Sequence, residues 1–370
     1  MGLASMLAAA STWPVRHLPN LRVAPPSVAY PSTLPLQLAG CERARSRIAS
    51  WAEYEPSALL AAPRLAARLG VRELWLKDET RRLGVGSFKP LGGAYAVDTL
   101  ASRGGSAFST ASAGNHGVGL AWGCRRARAA CHVFVHGGVP ERQAEKMRAL
   151  GATVHRVEGD YEASVEACKE MSAAAGWQVV QDVSWEGYEQ IPEAIYSGYQ
   201  VIAAEMVDQW AAEGAQPPTH VFVNAGVGGL AAAVCSHLWA RYGERRPRFV
   251  CVEPDAADCL MLSAKKGAMA ACPPSDATTV QVGLDCRAPA SLAWRVLEVG
   301  ANDFVAIGDE VVQPCIDELA SLPTPLKAGE SAVAGLGVII AAAAQPELAK
   351  GLQIGPNSRL AAIICEGRVK

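Results

Sequence analysis

Short runs rich in β-branched residues alternate along this chain with longer segments rich in alanine and leucine, and that alternation narrows the fold more than any other feature. Stretches 73–77, 131–135, 153–157, 178–181, 219–223, 248–252 and 360–364 have the length and composition of strands. Segments 140–150, 161–175, 192–212 and 230–242 have helical length and period, with Pro140 and Glu141 in a first turn and Gly151 as a stop. Strands and helices in alternation pack as parallel sheets covered by helices. The expected fold is therefore α/β, with two open, mostly parallel sheets and helices on both faces.

The chain has 370 residues, more than one core accommodates and enough for two domains. Its net charge of −2 gives no basic excess to hold nucleic acid or an anionic membrane. No uncharged apolar run reaches the roughly 18 residues of a membrane span. The eleven cysteines stand singly, with no C-x-x-C pair. That pattern suits buried free thiols in a reducing, cytoplasmic setting, without metal ligands or disulfides. The first ten residues are apolar and alanine-rich, and the first acidic residue is Glu42. Lacking the early positive charge and longer apolar centre of a secretory signal, they read as a frayed or docking arm.

In open α/β sheets, ligands bind beyond the carboxyl ends of strands, where glycine-rich turns lead into helices. Three places have that character. In the first, residues 84–95, Lys89 sits where a glycine-rich loop becomes a helix and Pro90 takes an early helical position. A nucleophilic lysine must spend part of its time neutral, which partial desolvation and the positive potential of a helix start both favour. Alone, it reads first as an ordinary surface lysine. The second is Ser112, Ala113, Gly114, Asn115, His116 and Gly117, between a short strand and a helix. Such a turn offers backbone N–H groups to a substrate carboxylate, with Asn115 able to bond a ring hydroxyl, or it is a plain connection. The third runs from Asn224 to Leu230 and includes Gly226, Val227, Gly228 and Gly229. Its amides and helix dipole suit a phosphate. No Lys follows it, so it is not a triphosphate loop, and a dinucleotide fingerprint is absent.

In this order, S-F-K, S-x-G-N-H and G-x-G-G resemble the tryptophan-synthase-β type of pyridoxal-phosphate enzymes, fold type II. Within that group the chain is most similar to the diaminopropionate ammonia-lyase family. The resemblance rests on Ser87-Phe-Lys-Pro-Leu-Gly-Gly-Ala-Tyr-Ala-Val97 and on Gln181-Asp-Val-Ser-Trp-Glu-Gly-Tyr188, followed by Ile191-Pro192. Glu253-Pro-Asp-Ala-Ala-Asp-Cys259, Gly329-Glu-Ser-Ala-Val-Ala-Gly-Leu-Gly337 and Cys365-Glu-Gly367 also fit. It extends from about Asn20 to Gly367.

The resemblance implies pyridoxal 5'-phosphate as cofactor and Lys89 as its Schiff-base lysine and the α-proton base. It implies Asn115 at the cofactor's phenolic oxygen, and Gly226, Val227, Gly228 and Gly229 as the phosphate cup. Asp182 matches a family acid on the substrate side, or caps a helix. Glu330 lies beside the cofactor ring, or caps the chain locally. Cys365 falls where the fold type places Ser, Thr or Cys against the pyridine nitrogen, or is plain core. A thiol there does not hold that nitrogen protonated, which favours loss of a β-substituent over transamination. Trp185 and Tyr188 line the substrate or simply pack. The expected domains are 1–100 with 215–370, large and cofactor-binding, and 101–214, small, mobile and carrying the carboxylate loop of Ser112, Ala113, Gly114, Asn115 and His116. The implied reaction is α,β-elimination from a small amino acid such as 2,3-diaminopropionate, giving a 2-oxo acid and ammonia, in a homodimer. The alternative is a serine, threonine or 3-hydroxy-amino-acid dehydratase using the same residues. A β-replacement synthase and a cofactor-retaining regulatory protein are weaker readings. One departure matters: the family usually carries Asp immediately before G-N-H-G, and here that position is Ala113. Only the Lys89 face then has an evident base.

Overall fold

The computed structural model describes residues 3–368. Strands β1 (Val15–Pro19), β2 (Leu59–Ala61) and β3 (Glu73–Asp78) come first. Four more follow, β4 (Ala107–Ala111), β5 (Ala130–His136), β6 (Thr153–Val157) and β7 (Gln178–Val179). Then come β8 (His220–Asn224), β9 (Arg248–Pro254), β10 (Asp303–Ile307) and β11 (Arg359–Ile364). Seven strands form one sheet in the order β1-β10-β9-β8-β11-β3-β2, and four form another, β6-β5-β4-β7. Among the described strands of the two sheets, only the edge pairings, β1 with β10 and β2 with β3, are antiparallel. Central strands β8 and β10 are buried along their whole length, as strands covered on both faces must be. The α/β expectation of two open, mostly parallel sheets holds.

Local departures have physical causes. The strand run read to residue 181 ends as β7 at Val179. Beyond it the Gln181 side chain substitutes for backbone, accepting from Thr110 Oγ1 (2.6 Å) and Ala111 N (3.2 Å) and donating to Ala111 O (2.9 Å). Strand β10 escaped the sequence reading. It opens on Asp303, a polar signal, yet that carboxylate is fully buried and takes both Arg248 (2.6 and 2.8 Å) and His17 (2.8 Å). The N-terminal arm docks. After the helix Leu3–Ala10, Gln345 Nε2 donates to Ala10 O and Trp13 O, and β1 joins the sheet edge. No helix among the described residues is long and apolar enough to cross a membrane.

The chain divides into two compact units. The larger comprises Met1–Leu38, Pro56–Arg81 and Ile202–Lys370, and the smaller Ala39–Glu55 and Arg82–Val201. Residues 82–100, grouped in the sequence reading with 1–81, thus lie with 101–201. Close packing between the helices Lys89–Ala101 and Asn115–Ala127 explains this. A methyl at Gly119 would sit 2.9 Å from Pro90 N and 3.0 Å from the Lys89 carbonyl carbon, and one at Gly123 2.5 Å from Ala94 Cα. Glycine costs a helix interior about 1 kcal/mol relative to alanine, and here that cost permits backbone contact. Gly119→Ala is therefore expected to destabilise the protein by about 1–3 kcal/mol through overpacking and to displace the Lys89 turn. A chemical denaturation midpoint equal to wild type would show that the helices separate at no cost.

Candidate active site

In the smaller unit, Lys89 is the first residue of its helix with Pro90 behind it, and the Lys89 ammonium donates to Asp182 Oδ2 at 2.5 Å. The Phe88 and Tyr199 rings flank the ammonium, with centroids 5.3 and 5.8 Å from Nζ. Asp182 is held from both sides in sequence. Gln181 is clamped to β4 as described, and the Tyr196 hydroxyl donates to Asp182 O at 2.8 Å. Tyr188 Oη accepts from Gln181 N and donates to Val179 O, while Trp185 stacks on the Tyr188 ring at 4.1 Å. Burial opposes a charge on Asp182, but His116 and Lys89 outweigh it and hold the carboxyl at about 2. The carboxylate faces lysine, and the following helix begins only at Gln190, so it is not a helix cap.

The loop from Ser112 closes on itself, with the Ser112 hydroxyl accepting from Gly114 N (3.3 Å) and Gly117 N (3.1 Å). Ser112, Ala113, Gly114 and Asn115 are partly exposed. His116 is different. Its ring is buried, with Nε2 2.9 Å from Val180 O and Nδ1 3.6 Å from Asp182 Oδ2. The structure thus brings Lys89, Asp182 and His116 together, although sequence grouped His116 with the exposed turn.

In the larger unit, β8 ends at Asn224 and the helix Gly229–Tyr242 follows at once. Gly228 has φ +98°, a conformation glycine adopts freely, and it caps the helix with its carbonyl accepting from Ala232 N. Among the described residues, the amides of Gly226, Val227 and Gly228 have no hydrogen-bond partner within the chain. Unpaired amides at a helix start form an anion receptor. Cys365, just past β11, is buried with Sγ 3.5 Å from Asn224 Nδ2 and 3.4 Å from Ser331 O. Half-buried Glu330 precedes Ser331 and opens a short 3₁₀ turn. Asn224 was missed by sequence reasoning. Its side chain ties the loop to the strand ends, bonding Ile363 O, Cys365 Sγ and, through Oδ1, Gly335 N at 2.7 Å. The signal available was its position as a polar residue closing an apolar strand.

A lysine poised at a loop-to-helix junction, and a cup of unpaired amides at a second helix start, are the parts a phosphorylated carbonyl cofactor requires. The chain belongs to the family of pyridoxal-phosphate dependent enzymes, whose model matches residues 51–366. Within that family it stands with the diaminopropionate ammonia-lyases. The Escherichia coli enzyme of that name is 32% identical over 341 residues, covering 85% of each chain. A crystal structure of that enzyme, in complex with an aminoacrylate-PLP azomethine reaction intermediate, superposes with a TM-score of 0.88 at 30% identity. It covers 96% of this chain and 94% of that one. A probable D-serine dehydratase from Burkholderia pseudomallei is 30% identical over 253 residues, 57% of this chain and 55% of that protein.

The residues present fit pyridoxal phosphate by their own chemistry. Lys89 is a primary amine of the kind its carbonyl takes, and the amides of Gly226, Val227 and Gly228 are donors of the kind its phosphate takes.

Proposed function

We propose that this protein is an ammonia-lyase that eliminates the β-substituent of a small amino acid, 2,3-diaminopropionate or a close analogue, giving a 2-oxo acid and ammonia. The observation that carries the reading is the contact of Lys89 Nζ with Asp182 at the head of its helix. It joins the lysine of one motif to the acid of another that marks the ammonia-lyase branch. When bound, pyridoxal phosphate supplies an electron sink conjugated with the substrate α-carbon. Lys89 would anchor it and, as a neutral amine, would accept the α-proton. The amides of Gly226, Val227, Gly228 and Gly229 would receive its phosphate, Asn115 would bond its phenolic oxygen, and Cys365 and Glu330 would border its ring. The partly exposed turn of Ser112, Ala113, Gly114 and Asn115, with the His116 backbone, receives the substrate carboxylate. Asp182 holds Lys89 oriented and keeps a negative charge on the substrate side.

We further infer that the larger unit supplies the phosphate loop, that the smaller unit supplies Lys89 and the carboxylate turn, and that the smaller one moves on substrate binding. A cytoplasmic homodimer is part of the same reading, and light scattering of the purified chain measures its mass. Release of 2-oxo acid from a panel of L- and D-2,3-diaminopropionate, serine and threonine tests the activity. Dehydration of serine or threonine is the second reading, favoured by the D-serine dehydratase relative. Greater kcat/KM on the hydroxy amino acids would select it.

The same panel tests the consequence of Ala113. A base acts only within hydrogen-bond reach, so lysine on one side of a planar cofactor does not serve the other. Positioned bases contribute about 10²–10⁴ in rate. L-substrates are therefore expected to exceed D-substrates by about a hundredfold or more, and Ala113→Asp to raise turnover of D-2,3-diaminopropionate. Equal kcat/KM for both enantiomers in the wild type would place a second base elsewhere.

A further inference from the structure

We propose that His116 is a positioning residue that stores the proton Lys89 must give up to act as a base, the two exchanging it through the one carboxylate oxygen they share. The proposal rests on the reading of Lys89 as the α-proton base. Asp182 Oδ2 lies 2.5 Å from Lys89 Nζ and 3.6 Å from His116 Nδ1, so a single oxygen faces both nitrogens.

The tautomer follows from the other side of the ring. His116 Nε2 is 2.9 Å from Val180 O, and a carbonyl only accepts, so Nε2 carries hydrogen. A neutral ring then presents a lone pair at Nδ1, and that atom is buried without a hydrogen-bond partner. Lone pair against carboxylate repels, and a buried polar atom left unpaired costs about 1–3 kcal/mol. Protonation of Nδ1 turns the same contact into an attractive ion pair, which a closer approach of ring and carboxylate makes a charge-assisted hydrogen bond. The site is built for a proton that arrives and leaves.

The groups around His116 decide when. Burial lowers its affinity for a proton most strongly, Asp182 raises it, and Lys89 lowers it again. The phenols of Tyr188 and Tyr199 are pushed well above neutrality by burial and contribute no charge, and Tyr196 is committed to Asp182 O. While Lys89 is an ammonium, it lowers the affinity of His116 for a proton. When Lys89 loses its charge, the carboxylate faces His116 alone. In the exchange, one N–H bond breaks at Lys89 Nζ and one forms at His116 Nδ1, with Asp182 Oδ2 carrying the proton between them. Net charge is conserved, so the buried carboxylate never stands without a cation.

The test is nitrogen-15 NMR of histidine in the full-length, cofactor-free chain, with His116→Gln identifying the His116 signal among seven histidines. His116 should titrate at higher pH in Lys89→Met than in wild type, and at lower pH in Asp182→Asn. A His116 spectrum identical in all three proteins overturns the proposal. In the holoenzyme, His116→Gln preserves a donor for Val180 O but stores no proton. It should lower kcat about tenfold or more with KM little changed and alter the acid limb of the kcat profile. Unchanged kcat and an unchanged profile also overturn it. The two readings fail separately: elimination surviving in Lys89→Met refutes Lys89 as the base, whereas lost elimination with an unmoved His116 titration refutes only the proton store.

Discussion

Replacing Lys89 with alanine is expected to lower kcat/KM for elimination by about a thousandfold or more, ~4 kcal/mol of barrier, and to abolish covalent retention of the cofactor. The size follows from two roles lost at once, anchor and base. Borohydride reduction of the wild-type holoenzyme followed by peptide mapping locates the anchor directly, and it should fall on Lys89. Lys77 is a poor competitor despite lying in the strand β3. Its ammonium is fully buried and already donates to Ser57 O (2.8 Å), Glu205 Oε2 (2.6 Å) and Gln209 Oε1 (2.9 Å). Breaking such a buried pair costs about 3–5 kcal/mol, so Lys77 is structural. A label recovered on Lys77 or Lys146 would end the assignment of Lys89.

Gly228→Asp is expected to weaken cofactor affinity by several kcal/mol, on the order of a hundredfold or more in Kd. Three effects act in the same direction. The position has φ +98°, strained for any side chain. A Cβ there meets Ala293 Cβ and Leu297 Cδ1 at 3.1 Å. The new carboxylate also repels a phosphate held by the neighbouring amides. Gly228→Ala carries the strain and contact without the charge, so the difference between the variants isolates the electrostatic part. Cofactor titration followed by absorbance measures both, with circular dichroism of the apo chains checking the fold. Equal affinity of Gly228→Asp and wild type would remove the loop from cofactor binding.

What sequence determined here is what short stretches of chain determine. Alternating strand and helix periods gave the α/β class, and glycine-rich turns opening helices marked Lys89, the turn at Ser112 and the loop at Gly226. Each of these depends on neighbours within a few residues. The helix 161–175 came out with its bounds correct, because its caps, Asp160 and Gly176, are local too. Tertiary structure decided the rest. Lys89 and Asp182 are 93 residues apart, and the Gln181 clamp on β4 with the Tyr196 hydroxyl aims that carboxylate at the lysine. His116 sits in a turn motif, yet its ring points inward because Val180 O and Asp182 lie there. Residues 82–100 group with the smaller unit because Gly119 and Gly123 admit the Lys89 helix at backbone distance. Sequence reports which residues can do chemistry, since that is a property of side chain and local backbone. Which of them share a proton is set by packing between segments far apart in the chain, and no local pattern encodes that.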